Sequence, residues 1–144
     1  MNEKDLPITL SKIYDERTCP VAVFIKNKKV LCGFRHYKLN TPMELHVWTC
    51  PGGRPNKNEI VETTLRREVA EETGITDFRI LNFIGEFEGS HKGDTLMLFI
   101  CETSQSPKLM EPEKFSEWKW FSSKDFPKNF INSTVRKAIL KIVE

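Results

Sequence analysis

Apolar and polar positions alternate along the chain with two different periods. Val61, Leu65 and Val69 recur every fourth residue, and no Gly or Pro interrupts positions 59–73. At about 100° per residue these three side chains make one narrow stripe, so a helix is expected over 58–73, closed by Gly74. A second helix is expected over 130–143, where Ile131, Val135, Ile139 and Ile142 keep helical spacing. Shorter runs read as strands. Positions 20–25 and 30–35 flank the turn Lys26-Asn27-Lys28-Lys29 and suit a hairpin, as do 78–87 and 95–103 across Gly89-Ser90-His91-Lys92-Gly93-Asp94. A strand at 47–53 leads toward the first helix, and 116–121 alternates as a strand should. The apolar patch at 6–10 suits an edge strand, whereas 37–46 and 104–115 read as polar loops. Strands before and after a central helix, with another helix at the end, predict an α/β (α+β) fold: a mixed sheet between helices.

The central helix also carries charge. Its periodicity puts Glu68, Glu71 and Glu72 within an arc of about 100°, with Glu68 and Glu72 at the angles of the apolar stripe and Glu71 beside Arg67. Like charges crowded on a half-buried edge are destabilising unless neutralised, and carboxylate oxygens are the donors that hard divalent cations such as Mg²⁺ take. A solvated acidic face is the plainer alternative for three glutamates on a helix. The order of residues favours the metal. Gly53, Glu59, Arg67, Glu68, Val69, Glu71, Glu72, Gly74 and Ile75 fill every fixed position of G-x5-E-x7-R-E-U-x-E-E-x-G-U, where U is a bulky aliphatic residue.

That pattern resembles the Nudix box, the signature of the Nudix hydrolases. The resemblance implies the Nudix α/β/α sandwich, and a loop-helix-loop that binds Mg²⁺ or Mn²⁺ and hydrolyses a nucleoside diphosphate linked to a further group. It implies metal ligation by Glu68, Glu71, Glu72 and the Gly52 carbonyl, with Arg67 and Glu59 orienting the ligand carboxylates, a supporting role that metal sites generally need. In MutT-like members the proton of the attacking water goes to the first glutamate of the run, here Glu68; elsewhere in the family the base lies outside the box. The segment Val30-Leu31-Cys32-Gly33-Phe34-Arg35 resembles the strand whose final arginine contacts substrate phosphate, a task suited to a guanidinium fork. Positions 109–121 resemble the late segment of MutT-like pyrophosphatases, which makes Glu111 or Glu113 a candidate extra metal ligand. Asn129 stands one residue short of the place of a base-reading asparagine. Asn58 replaces a glycine common in the family, and asparagine tolerates the left-handed region such a position uses. His36 and His46, flanking the 37–46 loop, are further candidates for substrate contact.

Composition narrows the setting. At 144 residues, one domain spanning 1–144 is expected. Lys and Arg total 22 against 20 Asp and Glu, a balance that argues against a partner such as a nucleic acid polymer or an anionic membrane. A small nucleotide substrate is expected instead, with the chain acting as a monomer or homodimer. Positions 1–10 lack the apolar core of a secretory signal, and Cys19, Cys32, Cys50 and Cys101 lie dispersed, without zinc-ligand spacing. Buried reduced thiols and a cytoplasmic location are therefore expected. The reaction implied is hydrolysis of a nucleoside or deoxynucleoside triphosphate to monophosphate and pyrophosphate. ADP-ribose, dinucleoside polyphosphates and nucleotide sugars are alternatives within the same chemistry. Ser90, His91 and Lys92 occupy the region where proline or tyrosine would mark the first two. A non-catalytic nucleotide-binding module is a remote alternative, because all the box carboxylates are present.

Overall fold

The computed structural model describes residues 5–39 and 42–144, and its elements run α1 (Leu6–Leu10), β1 (Thr18–Lys26), β2 (Lys29–Lys38), β3 (Glu44–Thr49), α2 (Val61–Thr73), β4 (Arg79–Glu88), β5 (Thr95–Glu102), β6 (Phe115–Phe121) and α3 (Ser133–Val143). The sheet has the order β3-β2-β1-β5-β4, with β6 added antiparallel to β2. Among the strands of the described residues only β1 and β5 pair in parallel, Cys19 opposite Leu96 through Phe24 opposite Cys101. This pair is buried on both faces, as parallel strands usually are. Ala22 and Phe24 face one core with Leu31, Met97, Phe99 and the α2 residues Val61, Leu65 and Val69. Val23, Val30, Cys32 and Leu98 face the other with Val135, Ile139 and Val143 of α3. The expected mixed sheet between helices is what forms.

The hairpin from β1 to β2 turns through Asn27 and Lys28, whose φ values of 52° and 61° are those of a two-residue turn matching strand twist. All four cysteines are free and buried. Among the described residues no helix is long and apolar enough to cross a membrane.

Three sequence expectations need correction. Residues 6–10 form a short helix rather than an edge strand. Pro7 lies in its first turn, where a fixed φ and a missing N–H are harmless, and Leu6 and Leu10, one turn apart, both meet the core beside α2. The presumed 37–46 loop is mostly strand: β2 continues to Lys38 and pairs with β3 from His36 opposite His46 to Lys38 opposite Glu44. Its alternation of Phe34 and His36 against Arg35 and Tyr37 is the period-two signal that a polar composition concealed. Both helices start late. Asn58 has φ 62° and turns the chain before α2, while Asn132 caps α3 by accepting from the Thr134 and Val135 amides. Phe130 instead bridges to Trp48, and in α3 the exposed Ile142 yields its expected core place to Val143.

Candidate active site

The site is built where α2 meets the turn that follows β3. Gly52 pairs antiparallel with Val21 of β1, the Ala22 amide donates to the Pro51 carbonyl at 2.8 Å, and the Gly53 amide donates to the Pro20 carbonyl at 3.2 Å. A Cβ on Gly52 would lie 2.4 Å from the Pro20 oxygen; one on Gly53 would lie 2.5 Å from the Glu68 carboxyl carbon. Both glycines are therefore demanded by close approach. One lets the turn lie against β1, and the other lets the Glu68 carboxylate lie against the turn.

Helix α2 then divides its glutamates by depth. Glu72 is buried and its Oε1 accepts from the Gly52 amide at 2.9 Å. The Glu68 side chain is mostly buried and that of Glu71 is half exposed. Burial pushes the Glu72 carboxyl up to about 8; Glu68 and Glu111 add to the rise, while the Gly52 amide and Arg35 oppose it. Burial also raises Glu68, with Arg67 opposing and Glu71 and Glu111 adding. At Glu72 the charges of Glu68 and Glu111 outweigh that of Arg35, whereas at Glu68 the pairing with Arg67 outweighs Glu71 and Glu111.

Arg67 organises the adjacent end of the helix. Its Nε and Nη2 donate to the two Glu59 oxygens at 2.9 Å each, its Nη1 reaches Glu68 at 2.9 Å and Glu71 at 3.3 Å, and its Nη2 also donates to the Arg54 carbonyl at 3.0 Å. Glu59 further accepts from the Thr64 hydroxyl and the Asn56 amide. The Arg67 pairing, with those two hydrogen bonds, holds the Glu59 carboxyl down at about 2, well below its ordinary value. Glu59 and Arg67 are a fork-to-fork pair that ties the pre-helix turn to α2 and aims Glu68.

Arg35 reaches the cluster from β2. Its guanidinium lies over the Tyr37 ring at 4.6 Å and near the Phe115 ring at 5.2 Å, and its charge acts on Glu72. The late loop is brought alongside by the His36 amide donating to the Lys114 carbonyl at 2.8 Å. That docking makes Glu111 the late-loop carboxylate whose charge is felt at Glu68 and Glu72, whereas Glu113 is exposed. Asn129 is exposed too, and its backbone carbonyl accepts from the Trp48 amide at 3.2 Å. His36 and His46 face each other across the strands through their Nδ1 atoms.

Among the described residues no three His, Cys, Asp or Glu side chains already converge as a metal-binding group. The donor set nonetheless fits a hard divalent cation: it is all oxygen, it excludes sulfur and imidazole, and its deepest member, Glu72, is a buried carboxylate with too little positive charge around it. Sequence reasoning missed a second cationic group nearby. Arg17 and Arg54 bracket Asp94, each at 2.9 Å. No local pattern announces it, because its members are separated by 77 and 40 positions.

A mixed sheet carries a glycine turn and a carboxylate helix in a loop-helix-loop, with an arginine of the neighbouring strand beside it. The NUDIX domain family model matches residues 17–141, and the chain belongs to the Nudix hydrolases, enzymes acting on phosphoric anhydride bonds. Solved structures of similar fold include a MutT NUDIX hydrolase from Burkholderia pseudomallei, with TM-score 0.64 and 20% identity over 88% of this chain and 97% of that one. An ADP-ribose pyrophosphatase from Streptococcus suis aligns with TM-score 0.67 and 18% identity over 89% and 92%. The MutT protein from Methanosarcina mazei Go1 aligns with TM-score 0.64 and 22% identity over 86% and 90%.

Proposed function

We propose that this Nudix hydrolase is a cytoplasmic, single-domain, Mg²⁺- or Mn²⁺-dependent pyrophosphatase of nucleoside or deoxynucleoside triphosphates, releasing a monophosphate and pyrophosphate. The observation that carries this reading is the seating of Glu68 and Glu72 against the Gly52–Gly53 turn, with Arg35 of β2 near enough for its charge to act on Glu72. A phosphate chain supplies what each lacks: oxygens for the arginine, and a shared cation for the carboxylates. Glu68, Glu71, Glu72 and the Gly52 carbonyl would hold the cation, with Glu111 rather than Glu113 as the late-loop addition. When bound, the cation neutralises phosphate charge and makes water more acidic.

The remaining work falls to the chain. Arg35, stacked between Tyr37 and Phe115, presents its fork to phosphate oxygens without having to be ordered first. Glu68 takes the proton from the attacking water, its proton affinity raised chiefly by burial. Arg67 and Glu59 fix the rotamer of Glu68, and the Gly52 amide fixes that of Glu72. Asn129 reads the base from the loop beside β3. The near balance of 22 Lys and Arg against 20 Asp and Glu supports a small-molecule substrate rather than a polymeric nucleic acid or a membrane, acted on by a monomer or homodimer.

The test is a panel of NTPs, dNTPs, ADP-ribose, dinucleoside polyphosphates and nucleotide sugars, assayed with Mg²⁺ for phosphate and pyrophosphate. Pyrophosphate and a monophosphate are the expected products of a triphosphate, with ¹⁸O from labelled water in only one of them. Direct release of orthophosphate from a triphosphate, or preference for ADP-ribose over every triphosphate, overturns the substrate assignment.

A further inference from the structure

The Arg17–Asp94–Arg54 group is more than a clasp between loops. Asp94, with its side chain only 10% exposed, accepts from Arg17 Nε at 2.9 Å on one oxygen and from Arg54 Nη2 at 2.9 Å on the other. One arginine would neutralise this carboxylate; two leave a positive charge uncancelled. The two guanidinium-bearing side chains remain about half exposed, at 49% and 54%. Arg54 commits Nη2 to Asp94 and also hydrogen-bonds the Cys19 thiol, which leaves part of its five-donor fork for a further partner. Arg17 is seated with care. It also donates to the Lys92 carbonyl, and a Cβ on Gly93, whose φ is 92°, would lie 2.9 Å from its guanidinium carbon.

The group borders the carboxylates of the site. Arg54 follows Gly53, the residue against which the Glu68 carboxylate rests, and its carbonyl binds Arg67, which in turn holds Glu68. The Cys19 thiol, raised chiefly by burial, also feels Asp94, Arg54 and Glu68 together. Arg35 acts on Glu72, one helical turn or about 6 Å along α2 from Glu68. Cations therefore stand at both ends of the glutamate row. Two cationic groups flanking one row of carboxylates suit a chain of linked phosphates better than a single one.

We propose that Arg17 and Arg54, positioned by Asp94, form a second phosphate clamp that holds the distal end of a tri- or longer polyphosphate chain and so selects it over a diphosphate bridge. The inference rests on the function proposed above and extends it. A diphosphate bridge ends in a second sugar, which offers no anion to this clamp, whereas the terminal phosphates of a triphosphate offer several oxygens to two forks.

The experiment has two arms. Binding of inorganic tripolyphosphate with Mg²⁺ is measured by calorimetry for wild type, the double variant R17M/R54M, D94N and the charge-conserving R17K/R54K. Affinity is expected to fall at least about tenfold in R17M/R54M and to recover only the part of that loss due to charge in R17K/R54K, which lacks the forks. In the kinetic arm, the ratio of kcat/KM for a triphosphate to that for ADP-ribose is expected to fall at least about tenfold in R17M/R54M and D94N, through KM. Unchanged tripolyphosphate affinity, or parallel losses on both substrates with a lowered Tm, would mean a purely structural clasp and overturn the clamp. Should wild type hydrolyse no triphosphate, the proposed function fails on that measurement alone, while the tripolyphosphate arm still decides the clamp.

Discussion

Glu72 is buried against a backbone amide, with two other carboxylates outweighing a single arginine around it. Replacing it by glutamine keeps the shape and removes the charge. E72Q is expected to lower kcat by on the order of 10²-fold or more, about 2.7 kcal/mol of barrier. Its Tm at pH 8 is expected to be no lower than that of wild type, because a buried charge has gone. Unchanged turnover and metal dependence in E72Q would remove Glu72 from the site. Gly53 tests the geometry from the opposite side. A Cβ there would meet the Glu68 carboxylate at 2.5 Å, so G53A has to displace either Glu68 or the turn. Its kcat is expected to drop at least about tenfold, roughly 1.4 kcal/mol, with far-UV circular dichroism unchanged. Wild-type kcat in G53A would show that the position of Glu68 against the turn is not required.

At the scale of elements, the pre-helix turn is attached to α2 through Glu59. Its carboxyl sits at about 2 in the folded chain, below its ordinary value of 4.5, because Arg67, Thr64 and Asn56 all favour the ionised form. The folded state thus binds this proton less readily than the unfolded chain. The stabilisation is present above about pH 4.5 and is lost as pH falls toward 2. Urea unfolding of wild type and E59Q between pH 5 and pH 3 checks this, and the wild-type curve is expected to be the steeper. Equal slopes would show that the Glu59–Arg67 pair contributes nothing to folding. Helix α2 was the most legible element, since its stripe, its closing Gly74 and its charges share one period. The misread elements lacked such agreement. Leu6–Leu10 is too short for a period to emerge, and its helix follows from Pro7 and packing against α2. The paired ends of β2 and β3 were obscured because His36, Lys38 and Glu44 are polar on an exposed ribbon.

Considered as a whole molecule, the fold buries a carboxyl, Glu72, whose ionised form it disfavours. Burial raises Glu72 to about 8, above its ordinary 4.5, so the folded state takes up a proton that the unfolded chain releases. Its contribution is fully present below pH 4.5 and is lost as pH rises through about 8, where the ionised form is penalised. A cation that binds only the folded state reverses that penalty, by about 2.7 kcal/mol at a hundredfold excess over its Kd. Mg²⁺ is therefore expected to raise Tm more at pH 8 than at pH 5.5, and EDTA to abolish the difference. A Tm indifferent to Mg²⁺ at both pH values would count against a metal site.

The nine-position box, the helix that carries it and the alternating strands were set by the sequence itself, because helix period, glycine punctuation and charge placement are local properties of consecutive residues. The sequence also puts Arg35 on an apolar strand, although that strand runs on to Lys38 rather than ending at Arg35. The tertiary structure decided the rest. It separated a buried Glu72 from a half-exposed Glu71, although the two are adjacent in the chain, because depth depends on what α2 packs against. It brought Glu111 rather than Glu113 within electrostatic reach of the cluster, through the docking of the late loop on β2. And it joined Arg17, Arg54 and Asp94, since the parallel pairing of β1 with β5 and the bridge from Val21 to Gly52 place three distant chain segments at one end of the sheet. Such neighbours arise from strand order, which no local pattern of residues encodes.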